Sequence, residues 1–160
     1  MPAGETTWRD DPLLRNRFHP VYPDDLEVVV HDGGPRFTNK PPEVVWVTTT
    51  GKTANAYRGN LLNQPQGLES VKQGDEILFI AVAGAEYPLR VSQKYLDERT
   101  QWVNKPCDKC GFPELFDAPS DLVKKIFPNV GQNEEIEAFT SFCPKCRGVQ
   151  VVHKPGFEGS

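Results

Sequence analysis

Four cysteines constrain this chain more than any other feature. Cys107 and Cys110 stand in Pro106-Cys107-Asp108-Lys109-Cys110-Gly111, and Cys143 and Cys146 in Cys143-Pro144-Lys145-Cys146-Arg147-Gly148. They are the only cysteines in 160 residues, so two C-x-x-C pairs leave no remainder. Two donors separated by two residues reach one ion when the backbone turns back between them, and a tetrahedral metal needs four such donors. Pro144 pre-sets φ for a turn of this kind. Gly111 is free to take a positive φ and lead the chain away from the metal, and Gly148 is expected to do the same in the second loop. The spacing predicts a zinc site formed by Cys107, Cys110, Cys143 and Cys146. It is structural rather than catalytic, because four thiolates close the shell that a catalytic zinc keeps open. Thirty-two residues separate Cys110 from Cys143, more than a minimal zinc ribbon needs, so an inserted element is expected between the two knuckles.

Other uses of the thiols compete with this reading. Disulfides require an oxidising compartment, and Met1-Pro2-Ala3-Gly4-Glu5 offers no apolar run to act as a signal peptide. A thioredoxin-like pair would stand beside a βαβ pattern, which the chain lacks. Unliganded thiols are the remaining alternative. His153 is close enough to the last knuckle to be a substitute ligand, set against a solvated histidine at a strand end.

Composition narrows the class. No stretch approaches the ~18 consecutive apolar residues of a membrane span, so a cytoplasmic protein with no membrane partner is expected, which suits reduced thiols. Residues 101–160 carry 7 basic and 8 acidic side chains before any thiolate is counted. Binding a phosphate backbone wants a basic face, and this balance argues against nucleic acid. A nucleic-acid-binding ribbon would need Lys105, Lys109, Lys145, Arg147 and Lys154 on one side.

Residues 1–24 read as an irregular arm with four prolines, either partly disordered or pinned to the body by Trp8, Leu13, Leu14 and Phe18. Strands are expected at 26–30, 43–50, 54–62, 75–82 and 87–91 from β-branched runs and period-two alternation, with Gly51-Lys52-Thr53 as the turn of a hairpin. Tyr57, Gly59 and Leu61 fall on one face. Residues 93–99 read as one or two helical turns. A helix over 119–127 is the inserted element, with Pro119 in its first turn, Asp117 or Ala118 at the N-cap and Lys124 and Lys125 at the C-terminal end. Strands at 138–142 and 149–152 flank the second knuckle, and 131–137 is an acidic loop.

Trp46-Val47, Tyr57-Arg58-Gly59-Asn60-Leu61-Leu62-Asn63-Gln64-Pro65, Gly67-Leu68 and Gly74-Asp75-Glu76-Ile77 together resemble the bacterial YegJ-like domain of unknown function. The resemblance covers about residues 43–82, implies a small β-rich domain, and brings no catalytic residue with it. After Phe79 the chain departs from the family pattern, and the cysteines lie outside the matched stretch.

The fold class expected is therefore β-rich α+β: a small bent antiparallel sheet or barrel over 25–100, then a zinc-ribbon-like module with an inserted short helix over 101–154, and a tail at 155–160. The function expected is a zinc-stabilised protein-binding or adaptor module, with a protein partner. The alternatives are an enzyme using His31 and Asp32 beside Gly33-Gly34, and the nucleic-acid-binding ribbon. The enzyme requires both side chains in one cleft; ordinary turn chemistry is the other account of that cluster. Trp46, Tyr57, Phe79, Tyr87, Tyr95 and Trp102 gather around the sheet, most of them in the core, with one or two free to form a binding surface.

Overall fold

Alternating burial organises the N-terminal half. In β1 (Asp25–Val30) Leu26, Val28 and Val30 point inward, and in β2 (Glu43–Lys52) Val45, Val47 and Thr49 do. Val47 lies between Leu26 on one side and Leu61 of β3 (Tyr57–Leu61) on the other, so one buried layer runs through three strands. Each such aliphatic side chain contributes about 1.5–3 kcal/mol by leaving water. β4 (Glu76–Ile80) and β5 (Leu89–Val91) complete a closed barrel in the order β1-β2-β3-β4-β5. The computed structural model describes residues 8–34, 37–129 and 136–156. Most of the acidic loop, the end of the tail and the first seven residues of the arm lie outside the described residues.

Neighbours in the barrel are antiparallel except at the closing seam, where β1 and β5 run parallel through Val29 and Leu89. An up-and-down meander with an odd number of strands returns to its start in the same direction, so the expected all-antiparallel pairing fails at this one junction. Gly59 faces the interior, where a Cβ would lie 2.4 Å from Val47 Cγ1 and 2.8 Å from the Thr48 carbonyl. Its missing side chain makes room for Phe79, which is fully buried and stacks on Tyr57 at 5.7 Å.

The hairpin between β2 and β3 differs from the sequence reading. Gly51 is not in the turn: the register shifts between Thr49 and Gly51, and the strand continues to Lys52. The turn is Thr53–Ala56, where Thr53 Oγ1 accepts from Asn55 and Ala56 N–H groups and Thr53 N–H donates to the Ala56 carbonyl. The described part of the arm, from Trp8, is tied to the first unit. Leu14 is fully buried, Trp8 is buried and donates to Asp24, Arg9 grips the same carboxylate with two nitrogens, and Tyr57 O–H donates to Asp11. Leu13 stays exposed.

The chain forms two compact units. The first takes its described residues from Met1–Asp32 and Lys40–Val91, and the second from Gly33–Asn39 and Ser92–Ser160. This division differs from the sequence boundaries: 93–99 and the segment after Asp32 both belong with the cysteines. The second unit holds a three-stranded sheet, β6 (Val103–Asn104), β8 (Val149–His153) and β7 (Ala138–Phe142), with β8 in the middle. Gln150 and Val152 are fully buried on its inner face.

Two helices belong to this unit. α1 (Gln93–Arg99) is capped by Ser92, whose hydroxyl accepts from Tyr95 N–H. α2 (Pro119–Ile126) has Pro119 in its first turn and Ala118 at the N-cap, which supplies no side-chain acceptor. Glu98 of α1 takes that part instead, accepting from both N–H and Oγ–H of Ser120 at 2.8 and 2.6 Å. Asp117 turns away from the helix and accepts from Gly34 N–H at 2.7 Å. The two glycines that read as a simple turn thus cradle a carboxylate: a Cβ on Gly33 would stand 2.7 Å from Asp117 Oδ1, and Gly33 has φ of +103°. Burial pushes the Asp117 carboxyl up to about 6, a rise that Asp121 reinforces and the Gly34 N–H opposes.

Candidate metal centre

The two knuckles have the same internal wiring. In the first, Cys107 N–H donates to the Phe112 carbonyl and Gly111 N–H to the Cys107 carbonyl, both at 3.0 Å. In the second, Cys143 N–H donates to the Gly148 carbonyl at 2.7 Å and Arg147 N–H to the Cys143 carbonyl at 2.9 Å. Each leading sulfur also accepts from the N–H two residues on, Lys109 to Cys107 at 3.3 Å and Lys145 to Cys143 at 3.4 Å. Each loop leaves through a left-handed residue in the equivalent position, Gly111 at φ 78° and Arg147 at φ 64°.

Gly148 therefore does not take the positive φ expected of it. Its role is steric: a Cβ there would lie 2.7 Å from Cys107 Sγ and 2.8 Å from Asp108 Oδ1. Asp108 ties the knuckles together from the other side, accepting from Val149 N–H at 2.8 Å, while its own N–H donates to the Val149 carbonyl at 3.0 Å.

These loops bring the four sulfur atoms of Cys107, Cys110, Cys143 and Cys146 within 4.8 Å of one another, an arrangement that can hold a metal ion. Two pairs cross between the knuckles, Cys107 to Cys146 at 3.4 Å and Cys110 to Cys143 at 3.6 Å. Both exceed the ~2.05 Å of a disulfide, and all four thiols are free. Cys107 and Cys143 are buried, Cys110 and Cys146 exposed. Burial pushes the Cys107 thiol up, but the N–H groups of Cys110 and Lys109 and the neighbouring thiols outweigh it and bring the group down to about 6. Burial pushes Cys143 up to about 12 against the N–H groups of Cys146 and Lys145, with the neighbouring thiols adding to the rise.

His153 is not among the clustered donors. It ends β8, and its Nδ1 lies 2.9 Å from the Lys154 carbonyl. Lys109, Lys145 and Arg147 are exposed in the knuckles. Lys145 sits over the Phe112 ring and Lys154 over the Trp102 ring, 5.5 and 4.5 Å from the centroids, so both stems are committed to aromatic faces.

The structure separates His31 from Asp32 in use. His31 is buried, Nε2–H donates to the Arg90 carbonyl at 3.0 Å, and burial holds the imidazole down at about 4. Asp32 accepts from the N–H groups of Glu69 and Ser70 and from Ser70 Oγ, and Arg90 in turn donates to Ser70 Oγ. Asp32 ties down a turn and His31 packs inside. No helix among the described residues is long and apolar enough to cross a membrane. No family model, no curated protein and no solved structure matches the chain.

Proposed function

We propose that Cys107, Cys110, Cys143 and Cys146 hold a structural zinc ion and that the chain works as a protein-binding or adaptor module. The observation that carries this is the sulfur cluster itself. Four thiolates at about 2.3 Å from one zinc ion, set at tetrahedral angles, stand about 3.8 Å apart; the cross-knuckle pairs at 3.4 and 3.6 Å lie close to that figure. The N–H groups of Lys109 and Lys145 offset thiolate charge at the leading cysteines, and Gly148 keeps side-chain bulk away from Cys107. Zinc in such a shell supplies a cross-link and has no open position for a substrate.

Binding is the reading this favours, because the chain also exposes apolar side chains: in the turn that leads into β1, Val21 and Tyr22 are 69% and 60% exposed. The resemblance of residues 43–82 to the YegJ-like domain belongs with this reading, since it supplies a scaffold and no catalytic group. Elemental analysis of the purified chain should find one zinc per molecule, and affinity capture from native lysate a stoichiometric protein partner. A red, iron-loaded preparation would overturn the choice of metal, since a four-sulfur tetrahedron also accepts iron. Absence of any stoichiometric partner would overturn the adaptor role.

A further inference from the structure

The outward face of the barrel carries an aromatic and aliphatic patch bordered by three carboxylates. The strand register defines it. Trp46 pairs with Glu27 across β1 and β2, Val44 pairs with Val29, and Leu62, the residue after β3, donates its N–H to the Trp46 carbonyl at 2.8 Å. One row further along, Asp25 pairs with Thr48, Thr48 with Asn60, and Asn60 with Glu76. Residues paired directly across strands share a face, so Asp25, Glu27 and Glu76 border Trp46, Val44 and Leu62. None of these three carboxylates is ion-paired among the described residues. Val44, Leu62 and Tyr22 are exposed and Trp46 half-buried.

The aromatic part is held in place before anything binds. His19 Nδ1 accepts from the N–H groups of Val21 and Tyr22 at 3.0 and 3.3 Å, fixing the turn that carries Tyr22. The His19 ring stands edge-on to Trp46 at 5.6 Å and tilted against Tyr22 at 5.1 Å. The backbone N–H of Trp46 donates to Asn63 Oδ1 at 2.8 Å, which fixes the main chain that carries the indole. A side chain immobilised in the free state loses little further entropy on binding.

We propose that this face is a docking surface for a segment of a partner protein that alternates basic and apolar side chains. The proposal rests on the binding-module reading and gives it a location and a partner chemistry. Lysine or arginine heads would pair with Glu27, Asp25 and Glu76 and lie over the indole, where a cation is attracted to the ring face. Apolar side chains would cover Val44 and Leu62. The same carboxylates oppose a second copy of the chain, which would bring like charges together, and oppose an anionic lipid surface.

The test uses the full chain and a short peptide of alternating lysine and leucine, with an alternating glutamate and leucine peptide as its control. The lysine peptide should shift the Trp46 indole resonance and the β1–β3 amides, and the glutamate peptide should not. Trp46→Ala should weaken binding at least about ten-fold, the scale of a buried tryptophan anchor. Glu27→Gln with Glu76→Gln should weaken it several-fold and flatten its salt dependence. Because these outward substitutions could still perturb the barrel, Glu27→Lys with Glu76→Lys provides a gain-of-binding check: the preference should switch to the glutamate peptide. Equal binding of both peptides, shifts confined to residues outside β1–β3, or a dimer broken by Trp46→Ala would overturn the proposal. If a partner captured by the native chain stays bound to the Trp46→Ala and Glu27→Gln variants, this face is wrong while the binding-module reading stands.

Discussion

Arg147 and Gly148 are neighbours under opposite demands. Arg147 holds a left-handed φ of 64°, a conformation that costs a non-glycine residue roughly 1–2 kcal/mol. Gly148 meets a sulfur where its Cβ would be. Exchanging the types should act in opposite directions. Arg147→Gly should raise the stability of the second unit by up to about 1 kcal/mol, the left-handed relief less the flexibility glycine adds to the unfolded chain. Gly148→Ala should destabilise it by about 1–3 kcal/mol or more and weaken metal retention, read by competition with a chromogenic chelator. A Gly148→Ala chain that retains metal like the native one would contradict the steric role.

Two titratable groups, the buried His31 and the half-buried Asp117, also act at this scale, with opposite signs. His31, held down at about 4, stabilises the fold most above its ordinary value of 6.5, and that stabilisation falls away as pH drops toward 4. Asp117, pushed up to about 6 from 3.8, favours the fold most below 3.8 and loses that contribution as pH rises through 6. Across pH 4 to 6 the two oppose each other. Asp117→Asn should raise the melting temperature of the second unit at pH 7 and leave it little changed near pH 4. His31→Gln should flatten the acid limb of the first. Thermal melts at several pH values check both signs.

Among the elements, the strands and helices that announce themselves locally were legible in the sequence. Val45, Val47 and Thr49 alternate with outward residues, α1 falls on the helical turns expected at 93–99, and Pro119 sits in the first turn of α2. What was not legible depends on distant partners. Glu98 caps α2 from 22 residues away and Asp117 reaches Gly34 across 83, and neither leaves a local trace. Gly51 misleads because glycine suits a bulged strand end as well as a turn. Leu14, one of four residues proposed to pin the arm, is fully buried, whereas Leu13 beside it is exposed, a choice that no periodic pattern in the arm decides. At the candidate metal site, spacing implied four convergent cysteines, whereas the exchange of roles between Arg147 and Gly148 needed coordinates. Gly59→Ala tests the barrel elements. A methyl 2.4 Å from Val47 Cγ1 should cost about 1–3 kcal/mol or more, measured as a shift in denaturant midpoint at unchanged slope. An unchanged midpoint would mean that β3 yields easily.

For the molecule as a whole, two units imply two responses to metal loss. Binding energy at a site built by folding is folding energy, so stripping the ion with a chelator should speed amide exchange in β7 and β8 by orders of magnitude and leave β1 to β4 largely protected. Uniform exchange throughout would argue against independent units.

The second unit is also discontinuous in the chain: Gly33–Asn39 is threaded into it from between β1 and β2. A single protease nick near residue 92 would therefore not yield two whole fragments. The C-terminal piece would keep Asp117 and lose Gly34, leaving a half-buried carboxyl without that donor. The N-terminal piece would keep a seven-residue strip that belongs to its former neighbour. Recombining the two pieces should restore what neither retains alone.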